Sequence, residues 1–192
     1  MKGFTYDSKD RFKGLPGFLE SEVHGSGRKF VPIIECAIAN QSSTPYRPLS
    51  QGLKDQVFMI DHRTGKPFVG RVWPGSTYWV DYTNPKSSSY WSDMFKDFHQ
   101  VLPFDGAWLD MNDPSNFDSG AVEPKGCANN SLNDPPFNPA AYEPLYLSTV
   151  CPDAQQYMGS HYEWHNVRQL PTALSKKIET LFIAEVTRCS IG

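Results

Sequence analysis

Apolar residues along this chain fall into short runs bounded by turn formers, and the spacing within each run predicts an element. Residues 16–24 read as a short helix. Pro16 suits a first turn, Leu15, Phe18, Leu19 and Val23 make one apolar stripe, and Gly25 supplies a left-handed stop. Residues 28–39, rich in Phe, Val and Ile, follow as a strand. Residues 40–51 are polar and read as loop. Apolar runs at 57–60 and 68–72 flank Asp61-His62-Arg63-Thr64-Gly65-Lys66, a hairpin turned at Thr64-Gly65. Residues 78–82 form another strand, broken by Asn84-Pro85. The clearest helix spans 87–100, where Trp91, Phe95 and Phe98 recur at helical spacing beside Met94 and a serine run offers N-caps. That aromatic stripe reads as core packing.

Gly106-Ala107-Trp108-Leu109 is too short for a helix and is bounded by turn formers, so it reads as a buried strand ending at Asp110. Residues 112–160 then form a long Pro- and Asn-rich loop with seven prolines. A structureless stretch of that length inside a compact domain is ordinarily functional or disordered. A helical region opens at His161 and runs to about residue 177, and residues 180–187 form the last strand. Short apolar strands near residues 28, 106 and 181, each preceded by a helix, predict an α/β fold with parallel strands and helices outside.

Composition narrows the partners. The 192 residues suit one domain, and 39% hydrophobic with 14% aromatic residues suffice for a sizeable core. A net charge of -3 excludes nucleic acid and anionic membrane as expected partners, because both require a basic face. No apolar run is long enough to cross a bilayer, and residues 1–7 have no apolar h-region, so no signal peptide is expected in this chain. Cys36, Cys127, Cys151 and Cys189 are an even set, which does not by itself establish pairing. Asn40-Gln41-Ser42 and Asn129-Asn130-Ser131 are N-glycosylation sequons. His161 and His165, four apart, could share a helix face as zinc ligands do. The order His-Glu-x-x-His and a third ligand are missing, so both read as structural and no metal is expected.

Trp108-Leu109-Asp110-Met111-Asn112-Asp113-Pro114-Ser115-Asn116-Phe117 resembles the nucleophile motif of glycoside hydrolase family 31, the α-glucosidases. Within the family it is most similar to the branch of lysosomal acid α-glucosidases and maltase-glucoamylases. Trp73-Pro74-Gly75, Ile34-Glu35-Cys36-Ala37-Ile38, His161-Tyr162-Glu163-Trp164-His165-Asn166 and Thr187-Arg188-Cys189-Ser190 resemble further family passages, so the likeness runs from about Phe4 to Arg188. It implies a catalytic (β/α)8 TIM barrel, of which residues 1–192 would supply the middle strands and helices only. It implies Asp110 as the catalytic nucleophile and Ile34, Trp73, Trp108, Met111 and Arg188 as substrate contacts. It also implies a Cys127–Cys151 disulfide tying the 112–160 loop, worth roughly 3 kcal/mol on the loop-entropy model.

Sequons at Asn40 and Asn129, taken with that cysteine pair, favour glycosylation and a secretory, lysosomal or extracellular setting. The expected partners are α-linked glucose oligosaccharides or polysaccharides, and no cofactor is expected. The family's acid/base aspartate lies beyond the Arg-Ser motif, so the expectation is a partial sequence, inactive alone and prone to self-association through open barrel edges. Glu35 stands where the family has Asp, Cys36 where it has Pro, Asp113 where it has Glu, and Cys189 where it has Ser. The departures at Glu35, Asp113 and Cys189 motivate a second reading, a noncatalytic remnant that binds sugar or protein.

Overall fold

The computed structural model describes residues 2–41, 43–139, 142–165 and 182–185. Its centre is a parallel sheet in the order β1 (Ile33–Glu35), β5 (Gly106–Asp110), β8 (Phe182–Glu185). These are the three strands that the helix-then-strand rhythm singled out. A second sheet is antiparallel, with β2 (Ala37–Ala39), β4 (Gly75–Trp79) and β3 (Gly70–Val72) in that order. The strand expected over 28–39 is therefore broken at Cys36, and its two halves serve different sheets. Three residues before Cys36 pair with β5 and three after it pair with β4.

Two clamps fix where β1 lies along β5. At the entry, the Phe30 amide donates to Asp105 Oδ2 (2.9 Å) and the Asp105 amide donates to the Phe30 carbonyl (2.9 Å). Lys29 Nζ and His24 Nε2 contact the same carboxylate, each at 2.9 Å. The Phe30 N–H, with Lys29 and His24 behind it, holds the Asp105 carboxyl down to about 2. At the exit, Cys36 Sγ donates to the Met111 carbonyl (3.1 Å).

α1 (Leu15–Phe18) continues as a π-turn over Leu19–Val23 and a 3-10 turn over His24–Ser26. It buries Leu19 and stops at the left-handed Gly27 rather than at Gly25. The end of the loop expected over residues 40–51 is instead the start of a helix, α2 (Arg47–Asp55). Its polar composition gives a weak signal, and packing decides the outcome. Gly52 lies so close to Phe58 that a Cβ there would sit 2.4 Å from the ring, and Tyr90 Oη donates to the Pro48 carbonyl (2.6 Å). The hairpin at 57–72 closes through Asp61-to-Lys66 and Phe68-to-Met59 backbone bonds (2.9 and 2.8 Å), with Gly65 left-handed. Its distal arm, β3, pairs with β4.

α3 (Ser87–Val101) buries Tyr90, Trp91, Met94, Phe95 and Phe98. Phe4 inserts edge-on against Trp91 and Phe95, with centroids at 5.0 and 5.2 Å, and Phe104 packs on Phe98. Such aromatic pairs add about 0.5–1.5 kcal/mol each beyond area burial. Within the 112–160 segment a short hairpin pairs β6 (Gln155–Gln156) with β7 (Gly159–Ser160) and leads into α4 (His161–Trp164). Helical continuation beyond residue 165 lies outside the described residues. Among the described residues, no helix is long and apolar enough to cross a membrane.

Gly70 provides a direct test of this packing. A Cβ there would sit 2.3 Å from the Trp79 ring and 2.9 Å from Asn116 Oδ1, whereas one at Gly17 would meet nothing within 4 Å. Gly70→Ala is expected to destabilise the chain by about 1–3 kcal/mol in urea unfolding, while Gly17→Ala leaves stability unchanged or slightly raised.

Candidate active site

β1 and β5 end side by side, and their register pairs Ile33 with Trp108, Ile34 with Leu109, and Glu35 with Asp110. Side chains alternate faces along a strand, and in-register neighbours share a face. Ile34, Ala107 and Leu109, at 4%, 1% and 2% exposure, occupy the core face. Glu35, Trp108 and Asp110 are half-buried, and Ile33 is exposed, so these four share the open face. Ile34, expected as a pocket wall, is therefore turned away from Asp110, and Ile33 takes the open side. The reason is the two-residue period: the residue before Glu35 on the strand must face the other way.

Asp110 is positioned by the end of the strand and the bend after it. Its Oδ1 accepts the Met111 amide (3.0 Å). Met111 adopts a left-handed φ of 57°, which lets the chain leave β5 sharply. Such a conformation costs on the order of 1 kcal/mol in a non-glycine residue. The Met111 carbonyl accepts both the Ser115 amide (3.2 Å) and the Cys36 thiol. A proline at position 36 would have no donor for that second bond. Asp113 accepts the Ser115 hydroxyl (2.8 Å) inside the same turn.

Glu35 is the electrostatic feature of the site. Burial, and then the charge of Asp110 beside it, push its carboxyl up from 4.5 to about 7. Below that pH the open face presents a neutral carboxylic acid, able to donate a hydrogen bond, next to the Asp110 carboxyl.

Trp73 lies in the turn between β3 and β4, 61% exposed, edge-on to the exposed Phe117 ring at 4.9 Å. The two are brought together because Asn116 Oδ1 accepts the Arg71 amide (2.9 Å) and the Phe117 amide donates to the Arg71 carbonyl (2.8 Å). Arg71 also grips Asp118 through two bonds of 2.9 Å. Phe117 was not among the expected contacts, although the nucleophile motif ends on it. Trp108 contributes a ring whose Nε1 is buried without a hydrogen-bond partner among the described residues.

Elsewhere, Cys127 and Cys151 are bonded, with Cα atoms 5.5 Å apart. Asn129 is exposed and Asn40 half-buried. Arg188 and Cys189 lie outside the described residues. Gln156 Nε2 donates to His161 Nδ1 (3.1 Å), so a neutral His161 carries its proton on Nε2 and donates to His165 Nδ1 (3.0 Å). Among the described residues, no three His, Cys, Asp or Glu side chains group as a metal site would.

Residues 1–182 match the model of the glycosyl hydrolases family 31 TIM-barrel domain. The chain is 41% identical to the lysosomal alpha-glucosidase of Bos taurus over 176 residues, covering 91% of this chain and 18% of that protein. It is 38% identical to the intestinal sucrase-isomaltase of Homo sapiens over 170 residues, covering 86% of this chain and 9% of that protein. The chain thus spans less than a fifth of either relative. Among solved structures, the glucosidase II alpha subunit with Glc1Man2 bound superposes with a TM-score of 0.66 at 21% identity, over 96% of this chain and 18% of that one. A dextranase of Flavobacterium johnsoniae complexed with glucose gives 0.63 at 17% identity, over 96% of this chain and 20% of that one. Both likenesses concern the fold.

The raised Glu35 carboxyl sets a pH dependence. Its folded value of about 7 exceeds its ordinary 4.5, so the folded chain holds a proton that the unfolded chain releases. Its contribution to stability is complete below 4.5 and is lost as pH rises through 7. Unfolding free energy measured across this window is expected to fall with pH, and Glu35→Gln is expected to flatten that slope.

Proposed function

This chain belongs to glycoside hydrolase family 31, and on that premise we propose that it carries the nucleophile side of a retaining α-glucosidase site. The observation that carries the reading is the placement of Asp110. It is a half-buried carboxylate at the C-terminal end of a parallel strand, on the open face, beside a second carboxyl in register. That edge is where parallel barrels keep their reacting groups.

In the proposed reaction an Asp110 oxygen attacks the anomeric carbon of a terminal α-linked glucose. A bond forms between that oxygen and the carbon as the glycosidic bond breaks, and a carboxylic acid about 5–5.5 Å away across the bond delivers a proton to the departing oxygen. Water then cleaves the glycosyl ester, and the acid, now a base, takes the water's proton. Double displacement retains the α configuration. Positioned proton transfer contributes on the order of 10²–10⁴-fold, so the described residues constitute half of the site. The acid belongs to barrel segments outside them, with Arg188 as a further sugar contact.

Trp108 and Met111 flank the reacting carbon, and Trp73 with Phe117 forms an aromatic rim on which sugar rings stack. Glu35, longer by one methylene than the family's aspartate, presents a neutral donor to a sugar hydroxyl at acidic pH. Among the described residues β1 and β8 pair only with β5, and their outer edges accept the neighbouring staves of the same barrel. Residues 112–160 form the loop over one side of it, tied at Cys127 and Cys151. The relatives named as lysosomal and intestinal, with the sequons at Asn40 and Asn129, support a secretory or lysosomal setting and α-glucan substrates.

A mechanism-based 5-fluoro-α-glucosyl fluoride tests this in the whole polypeptide that carries the chain. Peptide mass spectrometry is expected to find one glucosyl adduct, on Asp110, and none in Asp110→Asn. A folded protein that takes no label would instead support the substitutions at Glu35 and Asp113 as marks of a noncatalytic sugar-binding remnant.

A further inference from the structure

A second concave feature lies away from Asp110. A cavity of about 580 Å³ opens between the 61–66 turn, the segment at 130–132 and the β6–β7 hairpin, and it shares no lining residue with the Asp110 cluster. Its volume falls within the range of about 300–1,000 Å³ found for small-molecule sites.

The walls are polar and fixed. Asp153, 6% exposed, accepts the Asn130 amide (2.7 Å), and its own backbone N–H donates to Asn133 Oδ1 (3.0 Å). Gln155 Nε2 donates to His62 Nδ1 (3.1 Å). Gln156 Nε2 donates to His161, and its Oε1 is buried without a hydrogen-bond partner among the described residues. Tyr157, 68% exposed, adds a ring to the same lining.

These walls select a ligand class. The lining contains no lysine or arginine and does contain the Asp153 carboxylate, so it offers nothing to offset an anion. One carboxylate and one imidazole are too few to hold a divalent cation. Amides, a hydroxyl and an exposed aromatic ring suit a neutral molecule with many hydroxyls and an apolar ring face. The rim adds a second pointer. Asn130 and Ser131 line the cavity and are the second and third residues of the sequon whose exposed first residue is Asn129.

We propose that this cavity seats a neutral saccharide, whose hydroxyls meet the amide and hydroxyl side chains of the lining and whose ring covers Tyr157. The sugar comes either from a glycan on Asn129 or from a free glucan. This inference does not rest on Asp110 being a nucleophile.

Hydroxyl-radical footprinting read by mass spectrometry at Tyr157 tests it, with the exposed Phe137 as internal reference. The protein is the whole polypeptide that carries the chain, secreted with glycans, compared with its Asn129→Gln variant. Asn129 is exposed, so the variant keeps the fold, and circular dichroism checks this. Oxidation of Tyr157 is expected to fall about threefold when the seat is filled, since such sites cover most of a ligand's surface. Protection in the glycosylated protein that Asn129→Gln abolishes identifies the attached glycan as occupant. Protection of Asn129→Gln by millimolar maltotriose identifies a free glucan. If neither the glycan nor maltotriose protects Tyr157, the proposal is overturned.

Discussion

The register of β1 against β5 is the constraint on which the rest of the site depends. Glu35 meets Asp110 only because Ile34 meets Leu109 one position earlier, and both of those side chains are withdrawn into the core. A slip of one residue would reverse the faces, putting Ile34 beside Asp110 and Glu35 into apolar packing. Burying the Glu35 carboxyl while exposing Ile34 is costly on both counts. Side-chain packing is supported by two polar clamps, Asp105 at the entry and the Cys36 thiol at the exit. With both strand ends tied, the carboxyls are held near each other whether or not a ligand is present, and Asp110 in turn raises the proton affinity of Glu35.

Beyond β5, order comes from a different source. The 112–160 loop has few aliphatic side chains to bury, and buried amides and hydroxyls take their place. Asn116 binds Arg71 and Gly120, Asn133 binds Ala128 and Asp153, and Thr149 Oγ1 donates to the Pro114 carbonyl (2.7 Å). Each bond contributes only about 1 kcal/mol, but a buried partner left unpaired costs more, so the network favours one arrangement. Its consequence for the site is local: Asn116 draws the β3–β4 turn onto residues 116–118 and sets Trp73 against Phe117. A second group of such bonds joins Asn130, Asn133 and Asp153 at the polar cavity.

Much of this was legible in the sequence where a local pattern decides the structure. The aromatic stripe of α3, the short apolar run of β5 and the turn at Thr64-Gly65 each follow from spacing alone, and ten contiguous residues pointed to the family. What could not be read depended on partners distant in sequence. Nothing within residues 28–39 marks Cys36 as the place where one strand changes sheets, because the break arises from competition between β5 and β4 for the same segment. Residues 47–55 carry too few apolar side chains to announce a helix, and they form one against Phe58 and Tyr90. Ile34 and Ile33 are chemically alike, so only the pairing with β5 decides which of them takes the open face. The resemblance pointed to candidate residue types, and the register decides which face each of them takes.

Asp110 on the open face is the proposed attacking carboxylate. Azide rescue tests it most directly, because azide can replace a deleted nucleophile and an activated fluoride leaving group needs no acid. In the whole polypeptide, Asp110→Gly is expected to lose cleavage of α-glucosyl fluoride and to regain it with added azide, yielding β-glucosyl azide by a single displacement. A folded Asp110→Gly protein that still cleaves the substrate without azide, or that azide fails to rescue, would contradict the account.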